Sequence, residues 1–295
     1  MNNTPNTKIK LIMGCDYLTD FLPGSVKLPL TEKVKILKYA YDQGIRTFDV
    51  SVCPNFIKAY DDFLQYTNGD VTGIGNPNWK CGFKLNNQDL WDIQDRIRRT
   101  LLEKHFTTEE RKCIFSLPEA IQKRWFLPNR EEPILTSKEI SDIYLDVGQF
   151  EKNLKMLKEL VKIVLYGSNY LEWLIKLNRL DLIEQGLKII KNAGFIPWSI
   201  SHWPSITAPV IGNLPFDGHW IHYNELEQLI VPDRALESIK QLSKPITIFR
   251  VLSFGLLSDK FQQAVQFAIN SLHPDNLVIG IRSKDDINKM VRIWE

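Results

Sequence analysis

The chain has 295 residues, of which 44% are hydrophobic and 24% are charged, as in ordinary soluble globular proteins. Its 37 Lys and Arg residues nearly balance its 35 Asp and Glu residues, and the net charge of +2 gives no electrostatic basis for binding nucleic acid or an anionic membrane. No apolar run approaches the roughly 18 residues of a membrane span, and the polar first ten residues lack the core of a signal peptide. We therefore expect a cytoplasmic protein that acts on a small molecule.

Nine short apolar runs, rich in strand-forming residues, alternate with amphipathic segments along the chain. In order they are KLIMGCDYL, RTFDVSV, WKCGFKL, KCIFSL, KIVLYGSN, FIPWSIS, HWIHYNE, ITIFRVL and LVIGIRS. The helical patterns between them include residues 30–44, 179–194, 258–272 and 283–294, with Thr31 expected to cap the first of these. Strands that alternate with helices of about 10–15 residues indicate a parallel sheet. About eight such units in a chain of this length favour a closed (β/α)8 TIM barrel.

Nine runs are one more than the eight strands of such a barrel, and we expect the extra run to lie in the irregular middle of the chain. Residues 70–135 contain the glycine-rich stretch GIGNPNW, which we interpret as a turn-rich loop, because it lacks the spacing of a dinucleotide-binding fingerprint. The prediction is a single barrel domain spanning residues 1–295, with an insertion or lid at about residues 70–135.

Polar residues follow the predicted strands at the ends where barrel enzymes build their sites. The second strand ends at Asp49, shortly before Cys53, and WKCGFKL is expected to deliver Lys84. The later strands place further polar residues at the same end, namely Ser168, Asn169, His202, His222, Asn224 and Arg250. Single members also have structural interpretations, with Asp49 as a backbone cap or Arg250 as the partner of a buried acid. Together, convergent polar groups at one barrel mouth indicate a ligand site.

The last predicted strand leads into a helix with a possible anion site at its start. Gly280 and Arg282 precede Ser283, which is expected to cap the helix. The exposed N–H groups and positive end of a helix attract phosphate, and an arginine adds a charge-assisted contact. We predict cofactor phosphate binding at these three residues, with plain helix capping as the alternative.

Several of these stretches together resemble the aldo-keto reductase family. YAYDQGIRTFDVSV resembles the family's second strand unit with its terminal Asp, and LVIGIRSKDDINKM resembles its last strand and cofactor-phosphate helix. SFGLLSD following ITIFRVL, FDGHWIHYNELEQ and GFIPWSISHWPS are similar to its seventh, sixth and fifth strand regions. The resemblance covers about residues 8–60 and 160–295 and implies a barrel that binds NADP.

The resemblance also implies a catalytic set of Asp, Tyr, Lys and His, in which Tyr protonates a carbonyl while a nicotinamide delivers hydride. Asp49 corresponds to the Asp, and Lys84 to the Lys that would pair with it. Pro54 stands where the Tyr is expected, and Gly167 or Ser168 stands at the position of the His. The chain is therefore identified as a divergent member that lacks the catalytic Tyr and His. If it is a redox enzyme, another acid replaces Tyr, with Cys53, Lys84 and His202 as candidates.

Three hypotheses follow for the function. The first is an oxidoreductase that retains NADP. The second is a non-redox lyase, isomerase or hydrolase, in which Asp49 and Lys84 perform acid–base chemistry and His202, His222 and Arg250 hold an anionic substrate. A metal at Asp49, His202 and His222 is a version of this second hypothesis that has no support from local spacing. The third is a catalytically inactive regulatory subunit.

Overall fold

The computed structural model describes residues 9–19, 27–77, 80–227 and 230–293 of the chain. Eleven strands lie in these ranges: β1 Lys10–Gly14, β2 Thr47–Ser51, β3 Thr72–Asn76, β4 Phe83–Leu85, β5 Gln88–Asp89, β6 Tyr144–Leu145, β7 Ile163–Gly167, β8 Ile196–Ser201, β9 Gly218–His222, β10 Ile246–Phe249 and β11 Asn276–Gly280. Thirteen α-helices accompany them in the same ranges: α1 Leu30–Asp42, α2 Pro54–Thr67, α3 Gln94–Thr100, α4 Thr108–Ser116, α5 Glu119–Trp125, α6 Ser137–Ser141, α7 Val147–Leu157, α8 Asn169–Lys176, α9 Leu180–Asn192, α10 Pro204–Ile211, α11 Pro232–Lys240, α12 Phe261–Leu272 and α13 Lys284–Arg292.

Eight parallel strands close into a barrel, which confirms the predicted (β/α)8 fold. The order around the barrel is β1, β2, β3, β7, β8, β9, β10 and β11, and β11 pairs with β1 to close it. Large apolar side chains from alternate strand positions fill the interior. They are Ile12, Ile74, Leu165, Ile200, Trp220, Phe249 and Val278. A barrel filled in this way is a packed core, so room for a ligand exists only at its ends.

The third barrel strand is one that the sequence prediction treated as a loop. Thr72–Asn76 lies within the glycine-rich stretch and pairs with both β2 and β7. A Cβ atom added to Gly73 would lie 2.8 Å from the carbonyl oxygen of Leu160, and one added to Gly75 would lie 2.7 Å from a methyl group of Leu157. The end of α7 and the turn after it approach this strand so closely that no side chain fits there. The glycines that weaken the apolar pattern are therefore required by packing.

Two of the nine predicted barrel strands have other structures. The run KCIFSL lies mostly in α4, which begins with a capping box between Thr107 and Glu110. WKCGFKL contains β4, but β4 pairs antiparallel with β5 and β6 in a separate three-stranded sheet. Among the predicted helix starts, Ser283 caps α13 as expected, whereas α1 begins after Pro29, two residues before the predicted cap.

The segment between β3 and β7 forms one side of the barrel mouth. Residues 77–162 contain the small sheet and the helices α3 to α7. The insertion predicted at about residues 70–135 overlaps this segment but also includes β3, and that it is an insertion relative to related barrels stays a prediction. None of the helices in the described part of the chain has both the length and the apolar character of a membrane crossing.

Candidate functional site

A cavity of about 610 Å³ opens at the C-terminal ends of the barrel strands. This volume lies in the range of small-molecule and cofactor sites. One wall consists of strand ends and the residues after them, including Asp49, Ser168, Asn169, His202 and Arg250. The other wall comes from the segment between β3 and β7, which contributes Trp91, Gln94, Arg98, Arg124 and Trp125. The structure therefore brings together five of the residues predicted from strand ends.

Asp49 is the most unusual acid in this cavity. It lies at the centre of β2, only 4% exposed, and its Oδ1 has no hydrogen-bond partner among the described residues. Burial and the negative charge of Asp16 raise the pKa of the Asp49 carboxyl well above its ordinary value, and Arg250 only partly offsets them. Burial of this kind favours the protonated form of a carboxyl. Asp49 can therefore act as a proton donor.

Asp16 and Arg250 complete a charged group around Asp49. The Ser51 hydroxyl donates to Asp16 Oδ1 at 3.2 Å, and Arg250 Nη2 lies 3.8 Å from Asp16 Oδ2. Arg250 has a backbone φ of 61°, an uncommon conformation for a residue with a side chain. Ser168, on the opposite side of the barrel, also has a positive φ of 57° and follows Gly167 at 133°. Strained backbone of this sort is often found at functional sites.

Lys84 does not form the predicted pair with Asp49. It lies on β4 in the small sheet and donates to Asp146 Oδ2 at 2.7 Å. That hydrogen bond raises the pKa of the Lys84 ammonium, which is the opposite of tuning it toward neutral pH. Lys84 is also absent from the cavity lining. The prediction was wrong because it placed WKCGFKL in the barrel.

Cys53 is likewise not part of the cavity lining. It precedes α2 as the N-cap residue and is buried in the hydrophobic core between the barrel and its helices. Pro54, which stands where the resemblance implies a catalytic Tyr, is the first residue of that helix. Cys53 therefore packs against the core, and its predicted role as a replacement acid has no geometric support.

His222 and Asn224 were predicted to contact the substrate, but they bind a buried carboxylate behind the cavity wall. Glu227 is fully buried and accepts hydrogen bonds at 3.1 Å from His222 Nε2, from Asn224 Nδ2 and from Trp125 Nε1. Arg124 Nη1 adds a longer contact at 3.4 Å. Glu227 thus joins the end of β9 to helix α5.

The protonation states of this buried group follow from its partners. Burial lowers the pKa of His222 to about 4, although Glu227 opposes the shift. For Glu227, burial alone would raise the pKa, but the hydrogen bonds from His222, Trp125 and Asn224 hold it below its ordinary value. Glu227 is therefore an ionised carboxylate, held by donors from two elements.

His202 is the one predicted histidine that lines the cavity. Its ring centroid lies 4.6 Å from that of Trp125 and 5.3 Å from that of Phe249. The buried Glu172 on α8 accepts hydrogen bonds from the backbone N–H groups of His202 and Trp203, which fixes the chain where β8 ends. Within the described ranges, no group of three or more His, Cys, Asp or Glu side chains is placed to hold a metal ion.

Comparison with known proteins gives matches at the level of structure. No protein-family model and no curated protein sequence matches this chain. An aldo-keto reductase from Bacillus halodurans in its holo form aligns with 97% of this chain and 86% of its own, at 12% identity and a TM-score of 0.55. Glycerol dehydrogenase from Gluconobacter oxydans likewise aligns with 97% of this chain and 86% of its own, at 12% identity and a TM-score of 0.55. An aldo/keto reductase from Klebsiella pneumoniae, solved with NADP and acetate, aligns with 98% and 90% at 10% identity and a TM-score of 0.53.

The barrel has the fold of the aldo-keto reductases. The match extends over nearly the whole chain. At this level of identity the likeness concerns the fold, and the chemistry of the site must be argued from its own residues.

The cavity lining contains groups that would suit a nicotinamide ring, the cofactor that the sequence resemblance predicted. Trp220 and Phe249 present aromatic surfaces, and Ser168 and Asn169 offer hydroxyl and amide groups. Flat apolar surfaces with a few polar groups are typical of sites for such rings. These residues would hold the reactive ring close to the strand ends where Asp49 lies.

The start of α13, where cofactor phosphate was predicted to bind, already holds a carboxylate. Asp286 Oδ2 accepts from the backbone N–H groups of Arg282 at 2.9 Å and Ser283 at 3.1 Å, while the Ser283 hydroxyl accepts from the N–H of Asp286. Gly280, Arg282 and Asp286 all line the cavity, and the Arg282 guanidinium lies 4.1 Å from the centre of the Tyr17 ring. A phosphate bound at this helix start would compete with Asp286 for the same N–H groups.

Proposed function

We propose that this chain is an oxidoreductase of the aldo-keto reductase type that reduces the carbonyl group of a small molecule, with Asp49 as the proton donor. The observation that carries this proposal is the position of Asp49, whose buried carboxyl lines the cavity between Asp16 and Arg250. Asp49 itself would then donate the proton that Tyr donates in the family, and no other side chain would be needed for this role.

The chemistry divides between the bound dinucleotide and the residues of the chain. A nicotinamide, when bound, supplies hydride to the carbonyl carbon. Asp49 gives its proton to the carbonyl oxygen as negative charge develops there, and general acid catalysis of this kind contributes roughly 10²–10⁴ in rate. Arg250, which already lowers the pKa of Asp49 in part, stabilises the carboxylate that remains. His202 and Asn169 line the cavity as further substrate contacts.

The cofactor of this proposal is a nicotinamide dinucleotide, which Arg282 and the end of β11 would hold. The Klebsiella aldo/keto reductase with the same fold was solved with NADP. In this chain the Asp286 carboxylate at the start of α13 opposes an additional phosphate. We therefore propose that NADH binds more tightly than NADPH.

A fluorescence titration with NADH and NADPH tests the cofactor. Trp91, Trp125 and Trp220 line the cavity, so saturable quenching of tryptophan emission reports binding there. We expect saturation in the micromolar range with NADH. No binding of either dinucleotide up to millimolar concentration would overturn the reductase proposal.

Two variants separate the roles of Asp49 and Lys84. Asp49→Asn should bind the dinucleotide normally and lose carbonyl reduction by roughly 10²–10⁴. Lys84→Met, by contrast, should keep both activities, since Lys84 pairs with Asp146 outside the cavity. Full activity of Asp49→Asn, or loss of activity in Lys84→Met alone, would contradict the assignment.

One observation favours the non-redox alternative as a second candidate. The cavity lining contains two neighbouring carboxyl groups, Asp16 and Asp49, together with several arginines. Such a set also suits acid–base chemistry on an anionic substrate. Failure of dinucleotide binding, combined with retained binding of carboxylates, would favour this candidate.

A further inference from the structure

Two arginines of the cavity lining hold a single aromatic ring between them. The guanidinium carbon of Arg124 lies 4.0 Å from the centre of the Phe254 ring, and that of Arg250 lies 3.9 Å from it. Two groups at these distances on the same face would overlap, so the two guanidinium groups lie on opposite faces. Arg124 belongs to α5, whereas Arg250 directly follows β10. We call Arg124 and Arg250 the arginine pair.

The arginine pair has much of its hydrogen-bonding capacity left. Each guanidinium carries five N–H donors. Arg124 makes one long contact with Glu227 at 3.4 Å, and Arg250 lies 3.8 Å from Asp16, beyond hydrogen-bonding distance. By contrast, Arg98 in the same cavity donates to three backbone carbonyl oxygens at 2.9–3.4 Å and is therefore structural. Arg124 and Arg250 are therefore better suited than Arg98 to bind a ligand.

The charge of the whole lining also favours an anion. Four arginines line the cavity, against three aspartates and no glutamate. Among the aspartates, Asp286 is already bound to the N–H groups of α13, and the raised pKa of Asp49 favours its uncharged form. The lining of the described cavity therefore has an excess of positive charge, and the arginine pair supplies two of its four arginines.

We propose that the arginine pair forms a subsite for the carboxylate of a 2-oxo acid, which would be the substrate class of this site. Arg250 lies beside Asp16 and within electrostatic range of Asp49. Because the charge of Arg250 acts on the Asp49 carboxyl, a 2-oxo acid held at Arg250 by its carboxylate would keep the adjacent carbonyl group near Asp49. Planar guanidinium groups recognise carboxylates with paired hydrogen bonds.

The choice of a 2-oxo acid as substrate rests on the proposed reduction. The atoms and electrons of that reaction balance as follows. Hydride from a reduced nicotinamide forms a C–H bond at the carbonyl carbon, and the C=O π bond breaks. The carbonyl oxygen takes the proton of Asp49, which leaves an aspartate carboxylate that is reprotonated from solvent. The 2-oxo acid becomes a 2-hydroxy acid, and the nicotinamide is oxidised by two electrons.

The test compares benzoylformate with its methyl ester, which keeps the phenyl and 2-oxo groups but carries no charge. Both are titrated without cofactor against the full chain by tryptophan quenching. We expect the acid to bind at least about tenfold more tightly, a difference of about 1.4 kcal/mol. Arg124→Gln and Arg250→Gln should each remove this preference, and Arg250→Lys should keep part of it. Arg234→Gln, at an exposed arginine of α11 that pairs with Glu109, is the matched control. Thermal unfolding of each variant shows whether it is folded.

Each outcome decides the proposal. Equal binding of acid and ester by the unmodified chain, or an unchanged preference in both glutamine variants, would overturn the subsite. A preference that saturating NADH abolishes would show that the pair binds cofactor phosphates, and this too would overturn it. If no dinucleotide binds but the preference depends on the arginine pair, the subsite stands and the reductase proposal alone fails. Loss of the preference in the glutamine variants with NADH still bound supports both.

Discussion

Replacing Asp49 by Asn tests whether the buried carboxyl in β2 is held in its protonated form. Because the pKa of Asp49 is raised in the folded chain, the native state keeps a proton that the unfolded chain releases above about pH 4. The stability that this proton contributes is fully present below the unfolded pKa and is lost as pH rises through the folded pKa. Asn cannot ionise, so the variant should not show this loss.

The size of the effect follows from the shift in pKa. Each unit between the folded and unfolded pKa corresponds to about 1.36 kcal/mol. With Asp49 only 4% exposed and next to Asp16, ionisation has a large cost that Arg250 does not cancel. The free energy of unfolding of the unmodified chain should therefore fall relative to that of Asp49→Asn by about 1.4 kcal/mol per pH unit in this interval. At pH 8 the variant should be the more stable protein.

Urea denaturation of both proteins at half-unit steps from pH 4 to pH 8 measures this difference. Asp62→Asn, at an exposed aspartate on α2, controls for the loss of one carboxyl group. We expect its curve to run parallel to that of the unmodified chain. If the Asp49→Asn curve also runs parallel, Asp49 is not protonated in the folded state, and its assignment as the proton donor is refuted.

Two further predictions concern the other acids of the site. Glu227→Gln should lower the free energy of unfolding in urea by about 3 kcal/mol, because it weakens buried hydrogen bonds to a charged group; unchanged stability would show that those bonds contribute little. Asp286→Asn should raise the affinity for NADPH about tenfold relative to NADH, since it removes the negative charge from the start of α13, and should cost about 1 kcal/mol of stability. The same titration measures this ratio, and an unchanged ratio would mean that Asp286 does not oppose the phosphate.

Most of the barrel could be predicted because its strands are buried on both faces and form continuous apolar runs. The third strand could not, since Gly73 and Gly75 are set by the approach of Leu157 and Leu160 from elsewhere in the chain. From the sequence alone, a glycine that close packing requires cannot be told apart from one that forms a turn. The run KCIFSL was misassigned for a different reason. Short apolar runs suit strand and helix equally, and the capping box before it was the better signal.

The site was predictable where it depends on strand ends and unpredictable where it depends on packing of the middle segment. Asp49 and Arg250 were found because each is a charged residue within or directly after an otherwise apolar strand, although Asp49 lies at the centre of β2 and not at its predicted end. The prediction for Lys84 was wrong because its strand lies in the separate three-stranded sheet and not in the barrel. Asp16 follows β1, but its place after one strand end gave no reason to choose it above other polar residues. Arg124 and Glu227 have no periodic relation to the barrel, so no sequence pattern identifies them.

The buried Glu227 links the stability of the segment between β3 and β7 to ligand binding in the cavity. Its donors come from β9 and the residues after it on one side, and from Arg124 and Trp125 of α5 on the other. The same α5 residues line the cavity, where Arg124 flanks Phe254 opposite Arg250. A weakened contact at Glu227 would therefore displace one member of the arginine pair while leaving Asp16, Asp49 and Arg250 in the barrel strands and their ends. Glu227→Gln should then bind carboxylates less selectively even when it is fully folded, which a purely structural role for Glu227 would not produce.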